Sequence, residues 1–204
     1  MKFLVPEISL GNNKNNLSTP ELAYKFFKER WRSQMHYVDW NRFVLMSKDF
    51  KGGKYLDVGC FNSPIPYELK RDFPESEIYA LDWCEPLIKE LKERYPEVNY
   101  IVGNANKLPF RDNEFDWVVA GELLEHNENP KELIKELIRV VKKDGTLAVS
   151  VPLMETPEKP LSEEHLWSFN SQDIVQLLMP YGQVRLLFYK DTYETIIGFC
   201  KKYD

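Results

Sequence analysis

The chain has 204 residues, of which 43% are hydrophobic and 14% aromatic, and this composition predicts one folded domain with a single core. The net charge of −5 disfavours a protein that binds nucleic acid mainly through its phosphates. No apolar run approaches the roughly 18 residues of a membrane span, no signal peptide is evident, and three cysteines do not suggest a disulfide framework, so a cytoplasmic location is expected.

The first quarter of the chain is basic. Residues 1–54 hold 10 Lys and Arg against 5 Asp and Glu, a net of +5, whereas the remaining 150 hold 17 and 27, a net of −10. Such a segment favours an anionic substrate, and a solvated helix face is the alternative explanation. Two helices are predicted here, one beginning near Ser18 or Thr19 and one over about 35–48, and together they form a helical cap over residues 1–50.

From Lys54 onward, strand and helix patterns alternate. The predicted strands are 54–58, 78–82, 98–102, 115–120, 145–151, 184–190 and 193–200, and the predicted helices are 64–72, 85–94, 130–142 and 170–180. Near-continuously apolar strands that alternate with helices predict a Rossmann-like, doubly wound α/β sheet of seven strands, mostly parallel. The last two strands are too close for a crossover helix, so they should form an antiparallel hairpin at one edge.

These elements predict one domain over residues 1–204. It consists of the cap (1–50), a ligand-binding core (54–152), and a long loop with the C-terminal hairpin (153–204). Loops as long as 152–169 tend to be functional or disordered, and this one contains a Trp, a Phe and a His. We therefore expect this loop to contact the substrate.

The loop after the first strand, "GCFNS" at 59–63, restricts the ligand. Ligands of open α/β sheets bind beyond the carboxyl ends of the strands, and a dinucleotide needs G-x-G-x-x-G so that its pyrophosphate can reach backbone N–H groups. Here Phe61 replaces the second glycine, while Pro64 and Pro66 lack an N–H group. The loop therefore favours a ligand without phosphates, and a nicotinamide dehydrogenase is the weakest of the alternatives.

The second strand ends in an acidic residue. Asp82 lies 23 residues after Gly59, where a carboxylate can accept hydrogen bonds from both hydroxyls of a ribose. Trp83 follows and can lie against an adenine face. The alternative is that Asp82 caps the next helix and Trp83 belongs to the core. A ribose without phosphate suggests S-adenosylmethionine.

Five stretches in order support this interpretation: "YLDVGC", "IYALD", "GNANKLPF", "FDWVVAGELLEH", and the strand after "KKDGTL". Together they resemble the class I S-adenosylmethionine-dependent methyltransferases, in particular the small-metabolite group that includes quinone-biosynthesis enzymes. The resemblance covers about residues 54–152, roughly half of the chain, and it implies S-adenosylmethionine as the cofactor.

The resemblance and the residues together assign a cofactor-binding set. Its members are Asp57, Gly59, Phe61, Asp82, Trp83, Asn104, Ala105 and Glu122. Asp57 and Gly59 match the motif around the methionine part, and Glu122 matches the loop near the cofactor's amino acid end. Asn104 and Ala105 match an Asp-Ala pair that reads the adenine edge, and the amide oxygen of Asn can still accept from an amino group. Phe61 departs from the family's G-x-G-x-G, and we expect it to form an apolar wall beside the methionine chain.

Catalytic residues are harder to predict, because methyl transfer from a sulfonium depends mainly on proximity and alignment. His165 is the first candidate for a general base or substrate contact and His126 the second; a structural role is the alternative for each. If residues 122–126 form one helical turn, Glu122, Glu125 and His126 share a face. With His165 they form an O/O/N/N set for a divalent metal. Similar E-x-x-E-H runs occur in methyltransferases with and without such a metal, so the metal question stays open.

The sequence therefore predicts an S-adenosylmethionine-dependent methyltransferase that acts on a small, preferentially anionic, metabolite. A non-catalytic domain of the same fold that has lost cofactor binding, and now serves as a binding or scaffold module, is the alternative from another class. A nucleic-acid methyltransferase is a third, and the acidic body argues against it. The partner expected is a small-molecule substrate.

Overall fold

The computed structural model describes residues 40–153, 165–190 and 194–204. The helix predicted near Ser18 or Thr19, residues 154–164 of the long loop and the turn 191–193 lie outside the described residues. The helices are α1 (Trp40–Ser47), α2 (Ile65–Asp72), α3 (Glu85–Arg94), α4 (Pro130–Val140) and α5 (Ser171–Leu178). The strands are β1 (Lys54–Val58), β2 (Glu77–Asp82), β3 (Asn99–Val102), β4 (Phe115–Gly121), β5 (Val141–Pro152), β6 (Gly182–Lys190) and β7 (Glu194–Lys202).

The seven strands form one sheet in the order β3-β2-β1-β4-β5-β7-β6. Strands β1 to β5 pair in parallel, whereas β7 is antiparallel to both β5 and β6. The predicted mostly parallel sheet with an antiparallel C-terminal hairpin is confirmed. Strands β1 to β3 are placed successively toward one edge of the sheet, and β4 starts the other half on the opposite side of β1. Open α/β sheets bind ligands at such a switch point.

Helices cover both faces of the sheet, as the doubly wound prediction requires. On one face α4 and α5 bury apolar side chains against the sheet, and on the other α1, α2 and α3 do the same. The central strands are buried on both faces: Val118, Val119 and Ala120 of β4 have no solvent-exposed surface. None of the helices in the described ranges has the length and apolarity that crossing a membrane requires.

Helix α1 is the described part of the helix expected over 35–48. The Trp117 indole N–H donates to the carbonyl of Met46 (3.0 Å), and the hydroxyls of Ser47 and Tyr55 share a hydrogen bond of 2.8 Å. These buried bonds fix the helix against β1 and β4. As a result, Arg42 and Phe43 lie at the carboxyl ends of the strands, where the candidate site is found.

The boundary between α4 and β5 differs from the prediction. The helix was expected to run to residue 142 and the strand to begin at 145, but α4 ends at Val140 and β5 begins at Val141. The reason is tertiary, because Val141 pairs with Phe115 of β4 and the register shifts before the next pair. The backbone N–H of Glu114 donates to the carbonyl of Val140 (2.8 Å), which satisfies an orphan group at the helix end.

Candidate active site

A cavity of about 450 Å³ lies at the carboxyl ends of β1 to β4. The four loops that follow these strands are residues 59–63, 82–85, 103–108 and 121–126, and all four contribute to the cavity wall as the sequence predicted. The lining residues among the predicted set are Gly59, Phe61, Asp82, Trp83, Asn104, Ala105, Glu122 and His126. Pockets of this size, apolar with a few convergent polar groups, are typical of small-molecule sites.

The first loop folds tightly in spite of its missing glycines. Gly59 has φ of 69°, and a Cβ there would lie 3.0 Å from the Leu123 side chain. The N–H groups of Gly59 and Cys60 both donate to the carbonyl of Leu81, at 2.8 and 3.0 Å. Phe61 adopts φ of 44°, a left-handed conformation that only glycine enters without steric cost. Phe61 therefore has a backbone conformation that suits glycine, at the position of the second glycine in the G-x-G-x-G pattern that the resemblance implies.

Asp82 connects the first and second loops. Its Oδ2 accepts from the N–H of Phe61 (3.1 Å) and its Oδ1 from the N–H of Cys84 (2.9 Å). Burial raises the pKa of the Asp82 carboxyl, and these N–H groups oppose the shift. Each carboxylate oxygen has a further lone pair, so the fixed carboxylate can accept two more hydrogen bonds at the cavity wall.

Asp82 and Trp83 of the second loop both contribute to the cavity wall. Asp82 does bond the N–H of Cys84 at the start of α3, as a capping residue would, but it also forms part of the cavity wall. Trp83 is 38% exposed and lines the cavity, so it is not a core residue.

The third loop presents Asn104 and the half-buried Ala105 to the cavity. Asn104 Oδ1 accepts from the N–H of Asn106 (2.9 Å), which closes a local turn. Arg139 of α4 supports the loop from below, because its guanidinium donates to the carbonyls of Leu108 (3.2 Å) and Phe110 (2.8 Å).

Glu122 does not take part in a helical turn with Glu125, contrary to the hypothesis. It has φ of 52°, and the following 3₁₀ helix covers only Leu124–His126. Glu122 Oε1 accepts from the Ser150 hydroxyl (3.0 Å), and Oε2 forms an ion pair of 3.5 Å with Arg42. Glu122 is therefore held at the cavity wall by Arg42 and Ser150, and it is not grouped with the other three residues of the set expected for a metal.

The other three residues of the expected set, Glu125, His126 and His165, lie close together. Their potential ligand atoms all lie within 4.8 Å of one another, and the two imidazole centroids are 4.9 Å apart. Glu125 is buried, and His126 and Leu166 belong to the cavity wall. The two histidines predicted from separate loops thus form one cluster beside the cavity.

Asp57 lies in β1 and is not among the described residues that line the cavity. It is 1% exposed, and burial raises the pKa of its carboxyl to about 7, while the Ser63 hydroxyl opposes the shift and Asp82 adds to it. Asp57 is thus placed beneath the first loop.

Arg42 was not singled out from the sequence; only the basic charge of residues 1–54 pointed toward it.

This architecture agrees with the fold that the sequence resemblance implies. A seven-stranded sheet with one antiparallel strand next to its edge, and a cavity formed by the first four strand-end loops, is the fold of the class I S-adenosylmethionine-dependent methyltransferases. Residues 56–149 match a family model described as "Methyltransferase domain". The match covers a little under half of the chain, including the loops that form the cavity wall.

Three known proteins illustrate the similarity. A ubiquinone/menaquinone biosynthesis C-methyltransferase of Desulfotalea psychrophila is 31% identical over 109 residues, covering 52% of this chain and 44% of that protein. A demethylmenaquinone methyltransferase of Renibacterium salmoninarum is 38% identical over 114 residues, covering 54% and 46%. The chain thus spans less than half the length of either relative.

The third is a crystal structure of Burkholderia thailandensis 1,6-didemethyltoxoflavin-N1-methyltransferase with bound 1,6-didemethyltoxoflavin and S-adenosylhomocysteine. It superposes with a TM-score of 0.69 at 16% identity, over 89% of this chain and 84% of that one. At this level of identity the likeness concerns the fold.

Proposed function

We propose that this protein transfers the methyl group of S-adenosylmethionine to a small metabolite. The observation that carries the proposal is the buried Asp82 carboxylate, which is fixed by one N–H from each of two loops and lies at the wall of the cavity. A carboxylate with two remaining lone pairs at the end of the second strand suits a ribose diol. The prolines of the first loop leave few donors for a pyrophosphate, which argues against a dinucleotide.

The cofactor's parts are assigned by the positions of the loops. Trp83, Asn104 and Ala105 are proposed to surround the adenine, since they line the cavity on the side of β2 and β3. Gly59, Phe61 and Glu122 are proposed to surround the methionine part, on the side of β1 and β4. Asp57 is proposed to act from beneath, by holding the first loop in place.

The proposed reaction is an in-line displacement. A lone pair of the acceptor attacks the methyl carbon, the carbon–sulfur bond breaks, and its electron pair stays on sulfur, which gives neutral S-adenosylhomocysteine. An acceptor that carries a proton must lose it to a base. His126 lies at the cavity wall with His165 in ring contact, so these two histidines are the proposed groups at the acceptor end.

The acceptor class is proposed from two lines of support. One relative quoted above is named for ubiquinone and menaquinone biosynthesis and the other for demethylmenaquinone, which favours a quinone-like ring compound as the acceptor. The net charge of +5 over residues 1–54 favours an acceptor that carries negative charge. A non-catalytic domain is the second candidate, because Phe61 departs from the G-x-G-x-G pattern that the resemblance implies.

Calorimetric titration with S-adenosylhomocysteine tests the proposal. We expect one equivalent to bind to the wild type, and Asp82→Asn to weaken binding by about 30-fold, since about 2 kcal/mol is a typical value for hydrogen bonds to a charged group. Glu90→Gln is the matched control, because it removes one charge from the exposed face of α3. Absence of binding by the wild type would support the scaffold alternative, and tighter binding of NADH would overturn the cofactor assignment.

A further inference from the structure

We propose that Glu125, His126 and His165 form a binding site for a divalent transition metal ion at the edge of the cavity. The site differs from the set considered from the sequence, because Glu122 is engaged with Arg42 and Ser150. Its three members come from the 3₁₀ helix after β4 and from the segment that precedes α5.

The positions of the three side chains suit metal binding. Their ligand atoms lie within 4.8 Å of one another, and the two rings meet edge to face at 75°. A tetrahedral ion about 2.1 Å from each atom needs ligand atoms about 3.4 Å apart, so the atoms must close by at most about 1.4 Å. In this proposal, rotation of the three side chains about their χ angles supplies that closure.

Backbone hydrogen bonds hold the two segments together. The N–H groups of Leu166 and Trp167 both donate to the carbonyl of Glu125, at 2.7 and 3.3 Å. The Trp167 indole N–H donates to the carbonyl of Asn127 (2.7 Å). Because these bonds fix the residues next to His165 against the residues around His126, the backbone that carries the donor set is in place before an ion arrives. Binding then involves little loss of conformational freedom.

The donor atoms select the type of ion. Two imidazole nitrogens and one carboxylate oxygen suit Zn²⁺, Fe²⁺, Co²⁺ or Ni²⁺, whereas Mg²⁺ prefers an all-oxygen octahedron. Glu125 is 1% exposed, and a buried carboxylate gains most from a nearby dication. Three protein ligands leave at least one coordination position for water or substrate, as in catalytic rather than structural zinc sites.

The role of the ion rests on the proposed function. His126 and Leu166 lie in the wall of the cavity, so an ion held by this cluster is close to the proposed acceptor end. There it can bind an acceptor oxygen and favour its ionised form by Lewis-acid polarisation. The inferred substrate class is therefore a small molecule with an ionisable hydroxyl or enol oxygen. With His126 and His165 acting as metal ligands, the proton released from that oxygen passes to solvent and to neither imidazole.

Titration of the 204-residue, chelator-treated protein with Zn²⁺ alone tests the site. We expect one equivalent to bind, and Glu125→Gln and His165→Asn each to weaken binding at least about 100-fold, since loss of a residue that merely supports a ligand already costs 10- to 100-fold. His36→Asn removes the remaining histidine of the chain and should bind as the wild type does. Mg²⁺ should bind much more weakly than Zn²⁺.

Two results would overturn the inference. One is that His165→Asn, shown to be folded by its circular dichroism, binds Zn²⁺ as tightly as His36→Asn. The other is a thiolate charge-transfer band with Co²⁺, which would assign the metal to cysteines. Asp82→Asn separates this inference from the proposed function, because it should weaken S-adenosylhomocysteine binding by about 30-fold and leave Zn²⁺ binding unchanged. Loss of metal binding in a wild type that still binds S-adenosylhomocysteine would refute the metal site alone.

Discussion

The left-handed backbone of Phe61 predicts that glycine at this position is more stable than alanine, the reverse of the usual order. At an ordinary position, replacing alanine by glycine lowers the free energy of unfolding by about 0.5–1 kcal/mol, because glycine loses more freedom on folding. At φ of 44° a residue with a Cβ carries a steric cost of about 1–2 kcal/mol that glycine avoids. The two terms oppose each other. We therefore expect Phe61→Gly to be more stable than Phe61→Ala by about 0.5–1 kcal/mol.

Urea unfolding of the two variants measures this difference, and the loss of the aromatic ring is common to both. The matched control is the pair Lys89→Ala and Lys89→Gly, at an exposed position inside α3. There glycine should be the less stable variant by about 1 kcal/mol. If glycine is less stable than alanine at position 61 by the same margin as at position 89, the strain argument is wrong.

Two further predictions concern residues that support the loops. The Asp57 pKa is raised from 3.8 to about 7, so between these pH values the folded protein keeps a proton that the unfolded chain loses. The free energy of unfolding of the wild type relative to Asp57→Asn should therefore fall as pH rises from about 4 to 7. The fall is at most about 4 kcal/mol, and a pH-independent difference in urea unfolding would contradict it. Arg139→Gln should lower the free energy of unfolding by about 2 kcal/mol and weaken S-adenosylhomocysteine binding, because it releases the third loop. Lys135→Gln, which loses only an exposed ion pair with Glu132, should change stability by less than about 1 kcal/mol, and equal effects of the two variants would refute the argument.

Much of the fold could be predicted from the sequence, because strands buried on both faces consist of nearly uninterrupted apolar residues. The position of Asp82 at a strand end followed from this pattern, and so did the meeting of four loops at one edge of the sheet. The placement of β7 between β5 and β6 could not be read in the same way. A hairpin pattern does not reveal which of its two strands pairs with the sheet.

The details of the site depended on backbone torsions and tertiary contacts that residue types do not encode. Glu122 was expected on the same helical face as Glu125, but its φ of 52° and its bonds to Arg42 and Ser150 direct it elsewhere. Local spacing could suggest a cluster around His126. Only the backbone bonds to Glu125 from the segment after His165 show which partners complete it.

The place of β7 in the sheet has a consequence for synthesis on the ribosome. The strand that joins β5 to β6 is the last of the seven to leave the exit tunnel, so the nascent chain presents an open β5 edge while residues 153–193 are being translated. Unpaired edges of that kind recruit other strands. The buried residues of β7, among them Ile196, Ile197 and Phe199, are also missing from the half-made core during this interval. Pauses in elongation over residues 153–193 would therefore prolong the period in which the nascent chain is most prone to aggregate.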